Sequence, residues 1–231
     1  MINPLLAHGP LPSIICCLRA TLAAVFLCLV FTQAAYADSA TRSSATRSSA
    51  TRSIVVYGDS ISAAYGIERD QGWVSLLEQR LAETHPDYRV INASVSGETT
   101  GGGVTRLAKT LEVHQPDILV LELGGNDGLR GYPIDRIRSN LEDMITRSMN
   151  AGVQVLLVGM VLPPNYGRRY TQAFEQTFAE LAAQYDLPLV PFLLEGTSTE
   201  RSLIQGDGIH PTAEAQPRLL NDIWSKLEAL L

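Results

Sequence analysis

The chain has 231 residues, room for one domain of about 180–200 residues and a leader. Its formal charge of −6 argues against a nucleic-acid partner. All three cysteines, Cys16, Cys17 and Cys28, fall near the start, so the rest of the chain has no disulfide, thiolate nucleophile or Cys-based metal site.

Met1 to Ala37 carries one charged side chain, Arg19, then an apolar stretch from Ala20 to Phe31 and a small-residue site at Ala35-Tyr36-Ala37. This is the layout of a secretory signal peptide. The apolar run of roughly 12 residues is short for a bilayer span, and Phe26-Leu27 puts large residues before Cys28, where lipoprotein processing needs small ones. An exported, periplasmic protein is expected, and cleavage after Ala37 would take the charge from −6 to −7. Residues 39–53 are three copies of Ser-Ala-Thr-Arg-Ser, polar throughout and without an apolar face. Residues 38–53 therefore read as a disordered tether, with a domain over 54–231.

From Ile54 onward, short apolar runs alternate with helical patterns. Strands are expected at Ile54–Tyr57, Tyr88–Ala93, Ile118–Leu123, Val153–Met160 and Leu189–Phe192. Helices are expected near Trp73–Glu83, Gly103–Val113, Pro133–Asn150, Tyr170–Tyr185 and Thr212–Leu231. Pro133 suits a first helical position and Gly152 a C-terminal cap, while Gly101-Gly102-Gly103 reads as a helix-entry hinge. Nearly continuous apolar strands alternating with helices predict an α/β fold, a doubly wound parallel sheet covered on both faces.

In such a sheet, ligands bind beyond the carboxyl ends of the strands. Ser60, Ser96-Gly97, Gly124-Gly125-Asn126-Asp127, Leu162-Pro163-Pro164-Asn165 and Asp207/His210 all follow strands and share that edge. His85 and His114 precede strands and fall at the other edge, and His8 belongs to the leader, which leaves His210 by elimination. Ser60 alone also reads as a helix N-cap, and the Gly-x-Ser-x-Gly elbow is absent because Ser62 takes its last position. His210 alone also reads as a turn histidine. Together, Asp207 three residues before His210 can fix the imidazole tautomer, so that its other nitrogen takes the Ser60 proton. The Ser60 N–H, the Gly97 N–H and the Asn126 amide can serve as oxyanion donors, although Gly97 also suits a plain turn and Asn126 an Asx-turn.

Gly58-Asp59-Ser60-Ile61, Gly97, Gly125-Asn126-Asp127 and Asp207-x-x-His210 resemble, in order, the four signature blocks of the SGNH (GDSL-type) hydrolases. The resemblance covers about Ile54 to Leu231 and is closest to the bacterial periplasmic thioesterase/arylesterase/lysophospholipase subgroup. Ile61 stands where the signature has Leu. The resemblance implies a flavodoxin-like three-layer fold with strand order 2-1-3-4-5. It implies Ser60 as nucleophile, His210 as base, Asp207 as orienter, and Ser60, Gly97 and Asn126 as the oxyanion hole. It also implies substrate contacts at Asp59, Leu129, Leu162 and Pro163, with Gly128–Pro133 acting as a moving lid. The expected protein is a monomeric, cofactor- and metal-free hydrolase of fatty-acyl esters, thioesters and lysophospholipids that touches membrane lipids transiently. The rival expectations are a carbohydrate O-acetyl esterase and a catalytically silent periplasmic binding protein.

Overall fold

The computed structural model describes residues 51–231, which form one compact unit. The leader and all but the end of the repeat lie outside the described residues. The strands are β1 (Arg52–Gly58), β2 (Tyr88–Asn92), β3 (Ile118–Glu122), β4 (Gln154–Val158) and β5 (Leu189–Val190). The helices are α1 (Trp73–Thr84), α2 (Thr100–His114), α3 (Gly125–Leu129), α4 (Ile134–Asn150), α5 (Arg168–Tyr185) and α6 (Gln216–Leu227). All five strands are parallel, in the order β2-β1-β3-β4-β5, which is the order expected from the sequence.

The apolar runs work because both faces of the sheet are buried. Ile54, Val56, Ile118, Val120, Leu156 and Val158 pack with α1 and α6 on one side. Val55, Tyr57, Leu119, Leu121, Val155 and Leu157 pack with α2, α4 and α5 on the other. A strand that alternates between two cores needs an apolar residue at every position, which removes the period-2 pattern. No helix among the described residues is long and apolar enough to cross a membrane.

Three local readings change. Arg52 and Ser53, the last two residues of the repeat, are part of the sheet rather than a tether, because β1 begins at Arg52. The Arg52 guanidinium pairs with Asp87 at 3.0 Å, lies 4.2 Å over the Tyr88 ring and donates to the Leu231 carbonyl at 3.2 Å. Ser53 is buried and its N–H donates to Asp117 Oδ2 at 2.8 Å. Gly101–Gly103 are no hinge, since α2 starts at Thr100 with the Thr99 hydroxyl capping the Gly102 N–H at 3.2 Å. Gly103 permits a close approach, because a Cβ there would lie 2.6 Å from Leu123 Cδ1, and its carbonyl accepts from the Tyr57 hydroxyl at 2.7 Å. The final helix is shorter than expected, with single turns of 3₁₀ helix on either side of Gln216–Leu227. Pro133 caps α4 from just outside it, and Gly152 takes the left-handed conformation, φ +78°, just past its end.

Candidate active site

The site forms where β1, β2 and β3 end and the turn before α6 folds back over them. Gly58 closes β1, and residues 59–66 continue as successive turns, with Ala63 N–H bonded to Asp59 O at 3.0 Å and Tyr65 N–H to Ser60 O at 3.1 Å. Ser60 therefore caps no helix. Its Oγ lies 2.8 Å from His210 Nε2 instead.

The His210 turn is held at both ends. Ile204 and Pro211 form an antiparallel bridge, and Gln205 N–H donates to His210 O at 2.7 Å. Within the turn, Asp207 Oδ1 accepts the Ile209 and His210 N–H groups at 2.9 and 3.0 Å, which leaves Oδ2 2.6 Å from His210 Nδ1. The hydrogen bond to His210 holds the Asp207 carboxyl down to about 2, so it stays ionised. Two side chains with no sequence signal join the two turns. Gln205 Nε2 donates to Tyr65 O at 2.8 Å and to Pro211 O at 2.9 Å, and the Tyr65 ring lies 4.5 Å from the imidazole, centroid to centroid.

A cavity of about 200 Å³ opens beside Ser60, lined also by Gly97, Asn126, Leu129 and His210. Among the described residues, neither Ser60 N–H nor Gly97 N–H has an acceptor within the protein. Asn126 Nδ2 donates to Asp59 Oδ2 at 3.0 Å, and an amide nitrogen carries a second hydrogen. Asp59 lines this cavity as well. Its side chain is largely buried, with Oδ1 accepting Ile61 N–H and Oδ2 accepting the Asn126 amide. Burial pushes its carboxyl up to about 6.

A larger cavity of about 400 Å³ adjoins the first, sharing Ile61, Leu129 and Ile209 and extending to Met160, Leu162 and Pro163. Leu162 also belongs to the core: it is buried, and its Cδ2 lies 2.8 Å from where a Gly128 Cβ would stand. Gly128 is therefore a close-packing position. The segment it begins is tied down, with the Tyr166 hydroxyl donating to Leu129 O at 3.0 Å and the Tyr170 hydroxyl to Tyr132 O at 2.6 Å. Among the described residues, no three His, Cys, Asp or Glu side chains lie together so as to hold a metal ion.

The model of the GDSL-like lipase/acylhydrolase family matches residues 56–217, from β1 to the first turn of α6. The chain belongs to that family. Among its relatives in the GDSL-like family is the "Esterase TesA" of Pseudomonas aeruginosa, 50% identical over 179 residues, covering 78% of this chain and 89% of that protein. "Thioesterase 1/protease 1/lysophospholipase L1" of Escherichia coli K12 is 37% identical over 179 residues, covering 78% and 85%. The solved "Crystal Structure of TesA" superposes with a TM-score of 0.76 at 49% identity, covering 78% of this chain and all of that one. As a GDSL-like acylhydrolase the chain is an enzyme of acyl-ester hydrolysis.

Proposed function

We propose that this chain is an exported serine hydrolase of fatty-acyl esters, thioesters and lysophospholipids, acting through an acyl-Ser60 intermediate. The observation that carries the reading is the unbroken relay from Ser60 Oγ to His210 Nε2 at 2.8 Å and from His210 Nδ1 to Asp207 at 2.6 Å. Ser60 Oγ attacks the acyl carbonyl carbon while its proton passes to His210. The negative charge gathers on the carbonyl oxygen, where Ser60 N–H, Gly97 N–H and the second Asn126 N–H can meet it. The tetrahedral intermediate collapses, the C–O or C–S bond breaks, and His210 returns the proton to the leaving alcohol or thiol. Water then gives His210 a proton as it attacks the acyl-enzyme, and Ser60 leaves with that proton. Asp207 orients the ring and balances the imidazolium in each half.

The adjoining apolar cavity suits an acyl chain, with Leu129, Leu162 and Pro163 as walls. Each methylene buried there contributes about 0.8 kcal/mol, which favours medium and long chains over acetyl and weighs against the carbohydrate O-acetyl esterase reading. The esterase, thioesterase and lysophospholipase names of its relatives agree with this substrate class. Export rests on the signal-peptide pattern of Met1–Ala37.

The test is Ser60→Ala. The variant is expected to keep its melting temperature, to lose about 10³–10⁶-fold in kcat and to escape fluorophosphonate labelling. Activity within tenfold of the parent would remove Ser60 from the mechanism. A p-nitrophenyl ester series from two to sixteen carbons, run beside lysophosphatidylcholine and acetylated xylan, tests the acyl preference.

A further inference from the structure

Glu122 is a buried carboxyl beside the site for which the relay has no use. It is the last residue of β3, fully buried, and register-paired with Gly58. Its side chain reaches under the turn that carries Ser60. Oε2 accepts Asp59 N–H at 3.2 Å and the Ser62 hydroxyl at 2.6 Å, so the residues immediately before and two after the nucleophile hang from one oxygen. Gly58 is part of this arrangement, because a Cβ there would collide with Glu122 Oε2 and lie 2.8 Å from Ser62 Oγ.

We propose that Glu122 is a positioning residue for Ser60, holding the nucleophile turn from below as an uncharged carboxylic acid. The proposal rests on Ser60 being the nucleophile. The geometry gives the protonation state its reason. None of the ion pairs among the described residues includes Glu122. The ionisable groups around it are Asp59, directly above, and beyond Asp59 both His210 and Asp127. Asp127 is turned away, its two oxygens taken by Thr100 N–H and the Thr100 hydroxyl. Two adjacent buried carboxyls cannot both be charged cheaply. Asp59 is the better anion, with two donors and His210 nearby, so the proton goes to Glu122. The Asp59 N–H and Ser62 hydroxyl both end on Oε2, and the buried Oε1 has no partner, so that with the proton on Oε1 the other oxygen serves as a carbonyl acceptor. Burial and the Asp59 charge both raise the Glu122 carboxyl well above its ordinary value.

A carbonyl acceptor of that reach is also what glutamine supplies, which makes the idea testable by rescue. Glu122→Leu removes the acceptor and lets the turn shift; kcat is expected to fall by about 10–10²-fold with KM little changed. Glu122→Gln is expected to recover most of that loss and to leave the acid limb of the kcat profile where the parent has it. The infrared spectrum at neutral pH should show a carboxylic-acid C=O band that Glu122→Gln abolishes and Ser60→Ala retains. The proposal is overturned if that band is missing, if it survives in Glu122→Gln, or if glutamine is as damaging as leucine. Should the leucine variant fail to fold, the band and the glutamine kinetics decide. Full activity in Ser60→Ala would instead refute the nucleophile while the infrared result for Glu122 stood.

Discussion

At Gly97 the backbone takes φ +79°, and a Cβ there would meet nothing within 4 Å. The position needs glycine for its conformation and not for room, since a left-handed backbone costs other residues of order 1 kcal/mol. Asparagine tolerates that conformation better than alanine. Gly97→Ala is therefore expected to lower the melting temperature and kcat together, by turning the N–H from the oxyanion position, and Gly97→Asn to lower the melting temperature less. Asn126→Ala should behave differently. In the proposed mechanism its amide acts when charge develops on oxygen, so kcat should fall by about 10²–10³-fold with little change in KM and in melting temperature. Steady-state kinetics beside thermal melts separate the two, and a loss in Asn126→Ala confined to KM would reassign that residue to substrate binding.

The element that ties core to cavity is α3. One turn of helix after β3 carries Asn126 toward Ser60, Leu129 toward the shared cavity and Gly128 against Leu162 and Phe174. Asp127 clamps it to the start of α2 through Thr100, whose hydroxyl in turn accepts from Asn140 on α4 at 2.9 Å. A Cβ at Gly128 would lie 2.8 Å from Leu162 Cδ2 and 2.9 Å from Phe174 Cε2. Gly128→Ala should then cost about 1–3 kcal/mol of stability through overpacking and push Leu162 toward the cavity. The kcat/KM maximum of an ester series should move to shorter chains while acetyl-ester turnover changes little. An unchanged chain-length profile in a destabilised variant would mean that Leu162 only packs the core.

For the whole molecule, the buried carboxyl pair sets part of the pH dependence of stability. Burial raises Asp59 to about 6 and Glu122 well above its ordinary value, so the folded state keeps protons that the unfolded chain has lost. Stability from these groups is present below the unfolded values, near 4, and is lost as pH rises through the folded ones. For Asp59 the loss is of order 3 kcal/mol between about pH 4 and 6. Asp207 works in the opposite sense, its contribution being lost as pH falls toward 2, and its exposure keeps it small. Denaturant melts of Asp59→Asn and Glu122→Gln should therefore gain on the parent as pH rises from 4 to 8. A difference flat across that range would contradict the buried-pair account. These two carboxyls also show where sequence reading stops. The layers, the strand order (through family resemblance) and the gathering of Ser60, Gly97, Asn126, Asp207 and His210 at one edge were legible in the sequence. That is so because apolar periodicity reports each element's own burial, and parallel strands send all their following loops to one side. It took the tertiary structure to show that Glu122 lies under the Ser60 turn, that Gln205 and Tyr65 join the Ser60 and His210 turns, that Gly103 and Gly128 are close contacts, and that Arg52 belongs to the sheet. Each of these depends on a partner 20 or more positions away in the chain, and no local pattern records which distant residue will fill that space.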